Sequence, residues 1–541
     1  MTASPAAADA LQDLRLQVMW TRLISVVEEA AQALMRTAFS TTVRDAGDLS
    51  AAVFDTRGRL IAEAVTGTPG HVNSMAAGVQ HFLARFPIDT MAEGDHFITN
   101  DPWLTAGHLH DVTVVSPVVM DGRVVGLLGC CCHQLDIGGL GQGPDGRSIY
   151  EEGLQIPLLK LASQGRLNED LMAILQQNVR TPLQVEGDVL SYIASNDTGA
   201  KRLVAMLREF GQADLDALGA YILRQSRQAT LARIAALPQG RWQGELTLDG
   251  IDRPITLRAT LTIAADRITV DYAGTDPAVP HGINVVLNYC RAYTVFGLKC
   301  VIAPEVPNNH GALAPFEVVA PEGSILNAQR PAPVAARHVV GQMLPDLVLG
   351  CLDQALPGRV PAEGSSCLWS VQLRGTVPGS GAAFDTVFFN SGGAGARPGQ
   401  DGLDATAFPS GVRAMPVEVT EHGAPIVIWQ KELRAGSGGT GRWRGGLGQT
   451  VEVGTRDGAA FEVLAMYERV QTPARGRAGG GDGAAGTVRL ASGAPLKAKG
   501  LQAIPAGDRL VLELPGGAGL GDPALRDAAQ AAADREAGRM P

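Results

Sequence analysis

Asn100 to Val115 read NDPWLTAGHLHDVTVV, and Arg123 to His133 read RVVGLLGCCCH. Between them Asp121-Gly122 is a strong two-residue turn signal, so VTVVSPVVM and RVVGLLGCCC form a β-hairpin. With a two-residue turn, Met120 faces Arg123 and His110 faces His133. Pro117 cannot donate to a ladder and marks an edge strand or a bulge. One extra residue on the Pro117 strand would bring Leu109 opposite His133; one on the partner strand would bring Asp111 there. Each register sets His133 beside the histidines and aspartates of the first stretch. His108 and Asp111 share a face if that stretch makes one helical turn.

This convergence makes His108, Asp111 and His133 the candidate metal ligands, with His110, Asp101, Asp136 and Asp48 nearby. Two imidazoles and a carboxylate suit Zn²⁺, Mn²⁺ or Fe²⁺ with positions left open for water or substrate. H-x-x-D alone is not a specific motif, and a hydrogen-bonded polar cluster at a hairpin mouth is the structural alternative. Cys130, Cys131 and Cys132 read as small buried core residues, because neighbours on a strand point to alternate faces and cannot chelate one ion well.

Working outward, Ala10 to Phe39 reads as a long helix, with Leu23, Val27, Ala30 and Leu34 at helical spacing. SAAVFDTRGRLIAEA (Ser50–Ala64) reads as two strands about a turn at Gly58. The following TGTPGHVNSMAAGVQHFLARF is a loop entering a helix capped by Asn73 or Ser74. The region from Tyr150 to Gln212 is mainly helical, and Asp216–Leu237 is a further helix. ELTLDGIDRPITLRATLTIAADRITVDYAGT is antiparallel sheet with turns at Asp249-Gly250 and Ala265-Asp266. Asn288–Ile302 and Ala335–Ala355 read helical again, and the last third is strand- and glycine-rich. The expected class is α+β, with large mixed or antiparallel sheets and packed helices. It divides into a metal-site region at 1–240, a sheet-plus-helix region at 241–357, a glycine-rich β region at 358–523 and a frayed Ala-rich tail at 524–541.

Composition narrows function. With a net charge of -10, nothing favours nucleic acid or an anionic membrane. No apolar run reaches the roughly 18 residues of a membrane span, and the N-terminus lacks a signal-peptide pattern. An odd number of cysteines, three of them adjacent, argues for a reducing cytoplasm rather than a disulfide framework. AGSGGTGRWRGGLG (Ala435–Gly448) and PGGAGLGDP (Pro515–Pro523) match neither a phosphate loop nor a dinucleotide fingerprint. They read as tight turns or loops touching a partner chain. If the reaction consumes ATP, another chain binds it.

The order of motifs carries more than any one of them. FITNDPWLTAGHLHDVTVVSPVV, CHQLDIGG, YEEGLQIPLLKL, NVRTP, VDYAGT, NNHG, PFEVVAPEGSILN, GSGGTGRWRGGLGQ and PGGAGLGDP follow in sequence. The series resembles the hydantoinase B/oxoprolinase family from about Leu16 to Pro523. That resemblance implies a partner, a hydantoinase A-type ATPase subunit that binds ATP-Mg and phosphorylates the substrate, in a heterotetramer or larger heteromer. It implies that His108, Asp111 and His133 match metal ligands of the carboxylase members, and that Asp48 matches an acidic residue before the first hairpin. It departs from the family where a Glu-Arg pair is replaced by Asp45-Ala46, and His110 stands where proline is common. The tail after Pro523 is short.

On this reading the chain is the metal-binding catalytic subunit of an ATP-dependent cyclic-amide hydrolase of the hydantoin, lactam or 5-oxoproline type. Asp48 or His110 orients the attacking water or serves as base. Two alternatives are a subunit of a ketone carboxylase of the acetone carboxylase type, and a non-catalytic partner that stabilises the ATPase subunit.

Overall fold

The computed structural model describes residues 5–377 and 379–539. The hairpin forms the centre of the first sheet. Strands β1 (Leu49–Phe54), β2 (Leu60–Glu63), β3 (His96–Thr99), β4 (Asp111–Met120), β5 (Arg123–His133), β6 (Leu159–Ser163) and β7 (Arg166–Leu167) run in the order β2-β1-β5-β4-β3-β6-β7. Every pairing is antiparallel. β6 and β7 lie inside the span that reads as helical in sequence; both are too short to show a clear alternation. Pro117 lies beyond Val115, the last residue of β4 that pairs with β3, so on that side it sits where the strand is already an edge.

Helices cover both faces of this sheet. On one face, Cys130 and Cys132 join the core built by Leu23, Val27, Ala30 and Leu34 of the helix Pro5–Thr37 and by the helix Pro182–Glu209. The two helices touch closely: Ser195 Oγ donates to Ala30 O at 2.9 Å. On the other face, Cys131 joins Met75, Val79 and Phe82 of the helix Pro69–Arg85. The three cysteines therefore alternate between two cores, as a pleated strand requires. The helix Pro69–Arg85 starts earlier than Asn73 or Ser74. Thr68, in extended conformation, is its N-cap and Pro69 holds its first turn, a position where proline loses no hydrogen bond.

Strands β8 (Gly240–Leu248), β9 (Ile255–Ile263), β10 (Ile268–Asp271) and β11 (Phe316–Val319) make the second sheet. The first three are antiparallel, as their alternation indicates; β11 adds in parallel to β10. One apolar core, running from Leu16 to Val360 and taking in Cys367, Leu464 and Met466, joins both sheets. The stretch 335–355 is two helices, His338–Gly341 and Leu344–Ala355, because Pro345 opens a new first turn.

The remainder holds two four-stranded sheets around a second core that includes Trp369, Phe388 and Tyr467. Between their strands the glycine-rich segments pack backbone against backbone. Gly439 N donates to Gly517 O at 2.9 Å, Gly517 N to Gly446 O at 2.9 Å and Gly446 N to Ala394 O at 2.8 Å. An added Cβ at Gly445 would overlap Gly517 O, and one at Gly517 would overlap Ala394 O. Neither glycine has a positive φ; what they provide is the close approach. The tail is a helix, Ala528–Glu536. Its buried Asp534 is paired with Arg444 at 3.3 Å and with Arg526, which ties the segment to the glycine loops.

Candidate metal centre

The site is assembled where β4 begins and β5 ends. Asp111 stands opposite His133, and the register shifts between Val118 and Val119. Val125 is the extra residue, on the β5 side. This is the third of the registers that the sequence allows. The slip matters because a one-residue shift moves every side chain to the other face. It puts Asp111 rather than His110 beside His133. Before β4 the chain makes a turn, not a helix, with Asp111 N donating to His108 O at 3.4 Å. Gly107 has φ +94°, and a Cβ there would lie 2.8 Å from Arg337 Cδ and Nε, so this turn needs glycine twice over.

His108 Nε2 lies 2.7 Å from Asp111 Oδ1 and His133 Nδ1 lies 3.1 Å from the same oxygen. The other carboxylate oxygen, Oδ2, faces His71 Nε2 at 2.9 Å and the Arg337 guanidinium. His71 Nε2 also reaches Asp48 Oδ1 at 3.6 Å. All these groups are buried. Asp48, His71, His108, Asp111, His133 and His338 line a cavity of about 40 Å³, the scale of one or two small guests.

The protons on these groups decide what the cavity can hold. His108 Nδ1 lies 2.8 Å from Ala335 O. A carbonyl only accepts, so Nδ1 carries the hydrogen. Burial, and then the Arg337 guanidinium, push the His108 imidazole down to about 3. The ring is therefore neutral and Nε2 presents a lone pair. For Asp111, burial opposes ionisation, but the His71 and Arg337 charges beside it outweigh burial and hold the carboxyl well below its usual range. A carboxylate oxygen and an imidazole lone pair thus face each other at 2.7 Å with no hydrogen between them. A cation is what makes that contact favourable. On the Oδ2 side, burial alone would lower His71, but the Asp111 and Asp48 carboxylates outweigh it and raise its affinity for a proton.

The donor set fits a divalent ion. One ligand atom each from His108, Asp111 and His133 lie within 4.8 Å of one another. His71, Asp111 and Cys131 meet the same criterion. Arg337 occupies the oxygen that faces that second set, and burial keeps the Cys131 thiol protonated. The Oδ1 side is the better seat.

Other sequence candidates fall elsewhere. Asp101 accepts from Trp103 N at 3.0 Å and pairs with Arg330. Asp136 accepts from Gly138 N at 2.9 Å and from Arg180 Nη1 at 2.8 Å. Both shape loops. His110 is buried, its ring 5.3 Å from His108 and 5.4 Å from His133 between centroids, and neither nitrogen has a partner. It does not line the cavity.

His71, Arg337 and His338 were not legible as site residues in the sequence. One signal was available: His71, His108, His110, His133 and His338 are five of the chain's ten histidines.

Fold and site together define an α+β protein built around a buried histidine–carboxylate centre. The model of the hydantoinase B/oxoprolinase family matches residues 12–523, and the chain belongs to that family. It is 29% identical over 548 residues to the caprolactamase subunit beta of Pseudomonas jessenii, covering 96% of this chain and 93% of that one. The crystal structure of the ATP-dependent caprolactamase from Pseudomonas jessenii superposes with a TM-score of 0.90 at 27% identity, covering 100% of this chain and 95% of that one. A nucleotide-free acetone carboxylase structure shares the fold, with a TM-score of 0.86 at 20% identity over 97% of this chain and 78% of that one. No described helix is long and apolar enough to cross a membrane.

Proposed function

We propose that this chain is the metal-dependent half of an ATP-dependent cyclic-amide hydrolase. A hydantoinase A-type subunit is the partner; it binds ATP-Mg and phosphorylates the carbonyl oxygen of a hydantoin or lactam. The observation that carries this reading is the pair of acceptors, His108 Nε2 and Asp111 Oδ1, that face each other across 2.7 Å. A divalent cation (Mn, Zn or Fe) held by His108, Asp111 and His133 would supply Lewis acidity, acidifying a water or polarising an oxygen.

The chain's own residues do the rest. The Ala335 carbonyl fixes the His108 tautomer so that Nε2 is free. Arg337 and His71 neutralise Asp111 Oδ2 and so hold the carboxylate in one orientation. Asp48 lines the cavity; we assign it the attacking water, which it orients and whose proton it accepts. His110 backs the rings of His108 and His133 from outside the cavity.

The direct test is metal content and turnover. Wild-type chain should carry a near-stoichiometric transition metal and, with its ATPase partner, open a hydantoin or lactam ring in an ATP-dependent way. His108→Ala and His133→Ala should lose the metal and at least about a hundredfold in rate while keeping the fold. A metal-replete preparation with no bound metal would overturn the reading.

A further inference from the structure

Among the described residues that line the cavity, His338 is the histidine with both ring nitrogens left over. Neither Nδ1 nor Nε2 of its ring has a hydrogen-bond partner, and both are buried. Its backbone, by contrast, is firmly held. Glu152 Oε1 accepts from Val334 N at 2.7 Å and from Ala335 N at 2.8 Å. Arg337 Nε donates to Ala106 O at 2.7 Å, and its guanidinium stacks on Tyr289 at 4.0 Å. His338 O accepts from Gln342 N at 3.0 Å. The segment Val334–His338 is thus a fixed arm. Ala335 addresses His108, Arg337 addresses Asp111, and the imidazole of His338 reaches the cavity itself.

Distance assigns the role. The donor atoms of His108, Asp111 and His133 lie within 4.8 Å of one another, and His338 joins no such set. Yet it lines the same cavity. It is therefore placed to address not the ion but whatever small group shares the cavity with it. His110 gives the contrast: it too has two unpartnered nitrogens, but it does not line the cavity.

We propose that His338 is a substrate-facing residue, whose ring N–H donates a hydrogen bond to the oxygen or nitrogen of the guest seated beside the His108–Asp111–His133 centre. The guest class is a small anion or a single polarised group, such as the carbonyl of a cyclic amide or the carboxylate that ring opening leaves. Burial, and then the Arg337 charge, keep the imidazole neutral, so it offers one N–H without bringing a second cation to the site. The inference rests on the metal-centre reading.

The test uses the full chain loaded with Co²⁺, whose visible spectrum reports its donors, titrated with azide as the guest. The expected result is that His338→Ala binds cobalt at wild-type stoichiometry with the same spectrum, but binds azide at least about tenfold more weakly. His338→Gln, which retains an N–H donor, should recover most of that loss. Unchanged azide affinity in both variants would overturn the proposal. Loss of cobalt from His338→Ala would overturn it too, because His338 would then hold the ion. Failure of the wild type to bind cobalt would instead remove the metal-centre reading, and this inference with it.

Discussion

The metal centre and the glycine-rich region are built on opposite terms. In the centre, side chains converge and their polar atoms stay short of partners: His71 Nδ1, both nitrogens of His110 and His338, and His133 Nε2. In the glycine region, side chains are absent and the backbone partners itself, as Gly439, Gly446 and Gly517 do. Buried polar atoms without partners cost stability, about 1–3 kcal/mol each. Paired backbone with no side chain leaves no room for a methyl group. The first arrangement leaves polar atoms without protein partners; the second, at these glycines, leaves none. The apolar core that joins the first two sheets carries the cost of the first.

The largest effect should come from filling what is already full. Gly445→Ala or Gly517→Ala forces a Cβ into a neighbouring carbonyl, and backbone on both sides cannot step aside. We expect a loss of about 4 kcal/mol or more, read as a large drop in Tm and rapid proteolysis of the region after residue 358. Gly423, with nothing near its Cβ position, is the control and should tolerate alanine within about 0.5 kcal/mol. Equal, small effects at Gly445 and Gly423 would show that the loops can open.

A second substitution asks whether an unpartnered atom can be satisfied by a proton instead of an ion. Glu152 Oε1 accepts two backbone N–H groups, but Oε2 is buried without a partner. Burial, with Glu151 adding to it, raises its carboxyl from 4.5 to about 8, against the lowering effect of those two hydrogen bonds. Because the folded value lies above the unfolded one, the native state binds the extra proton. That stability is fully present below about pH 4.5, and it is lost as pH rises through about 8. Glu152→Gln keeps the acceptor and removes the titration. Relative to this variant, wild type should lose a few kcal/mol between pH 4.5 and 8, measured by urea unfolding. Parallel curves for the two proteins would mean that water reaches Oε2.

What the sequence made legible follows the same division. The hairpin, its turn and the approach of His133 to His108 and Asp111 are local facts, carried by Asp121-Gly122 and by strand periodicity. The choice among registers was not local: Val125 bulges in a run of apolar residues where any position would serve. Arg337 and His338 were hidden for a different reason. They lie more than two hundred residues from Asp111, and they read as part of a helix until the fold brings the arm against β4. The glycine loops failed as phosphate sites, yet their actual use, backbone approach, has no motif because it needs only the absence of a side chain.

His110 offers the smallest effect and the finest test of the comparison. It shares the centre's lack of protein partners but stands off the cavity, so a guest there would not meet its two unpartnered nitrogens. Burial, with His108 and His133 beside it, holds the ring neutral, so no charge pair is lost when it is replaced. His110→Leu keeps a similar bulk and removes both unsatisfied atoms. We expect a gain of about 1 kcal/mol in the metal-free chain, seen as a Tm rise of a few degrees, with metal content unchanged. A loss of stability would mean that the ring is bonded through ordered water. A loss of metal would mean that it braces His108 and His133 in the geometry that the ion needs. Either result would move His110 from the margin of the centre into its support.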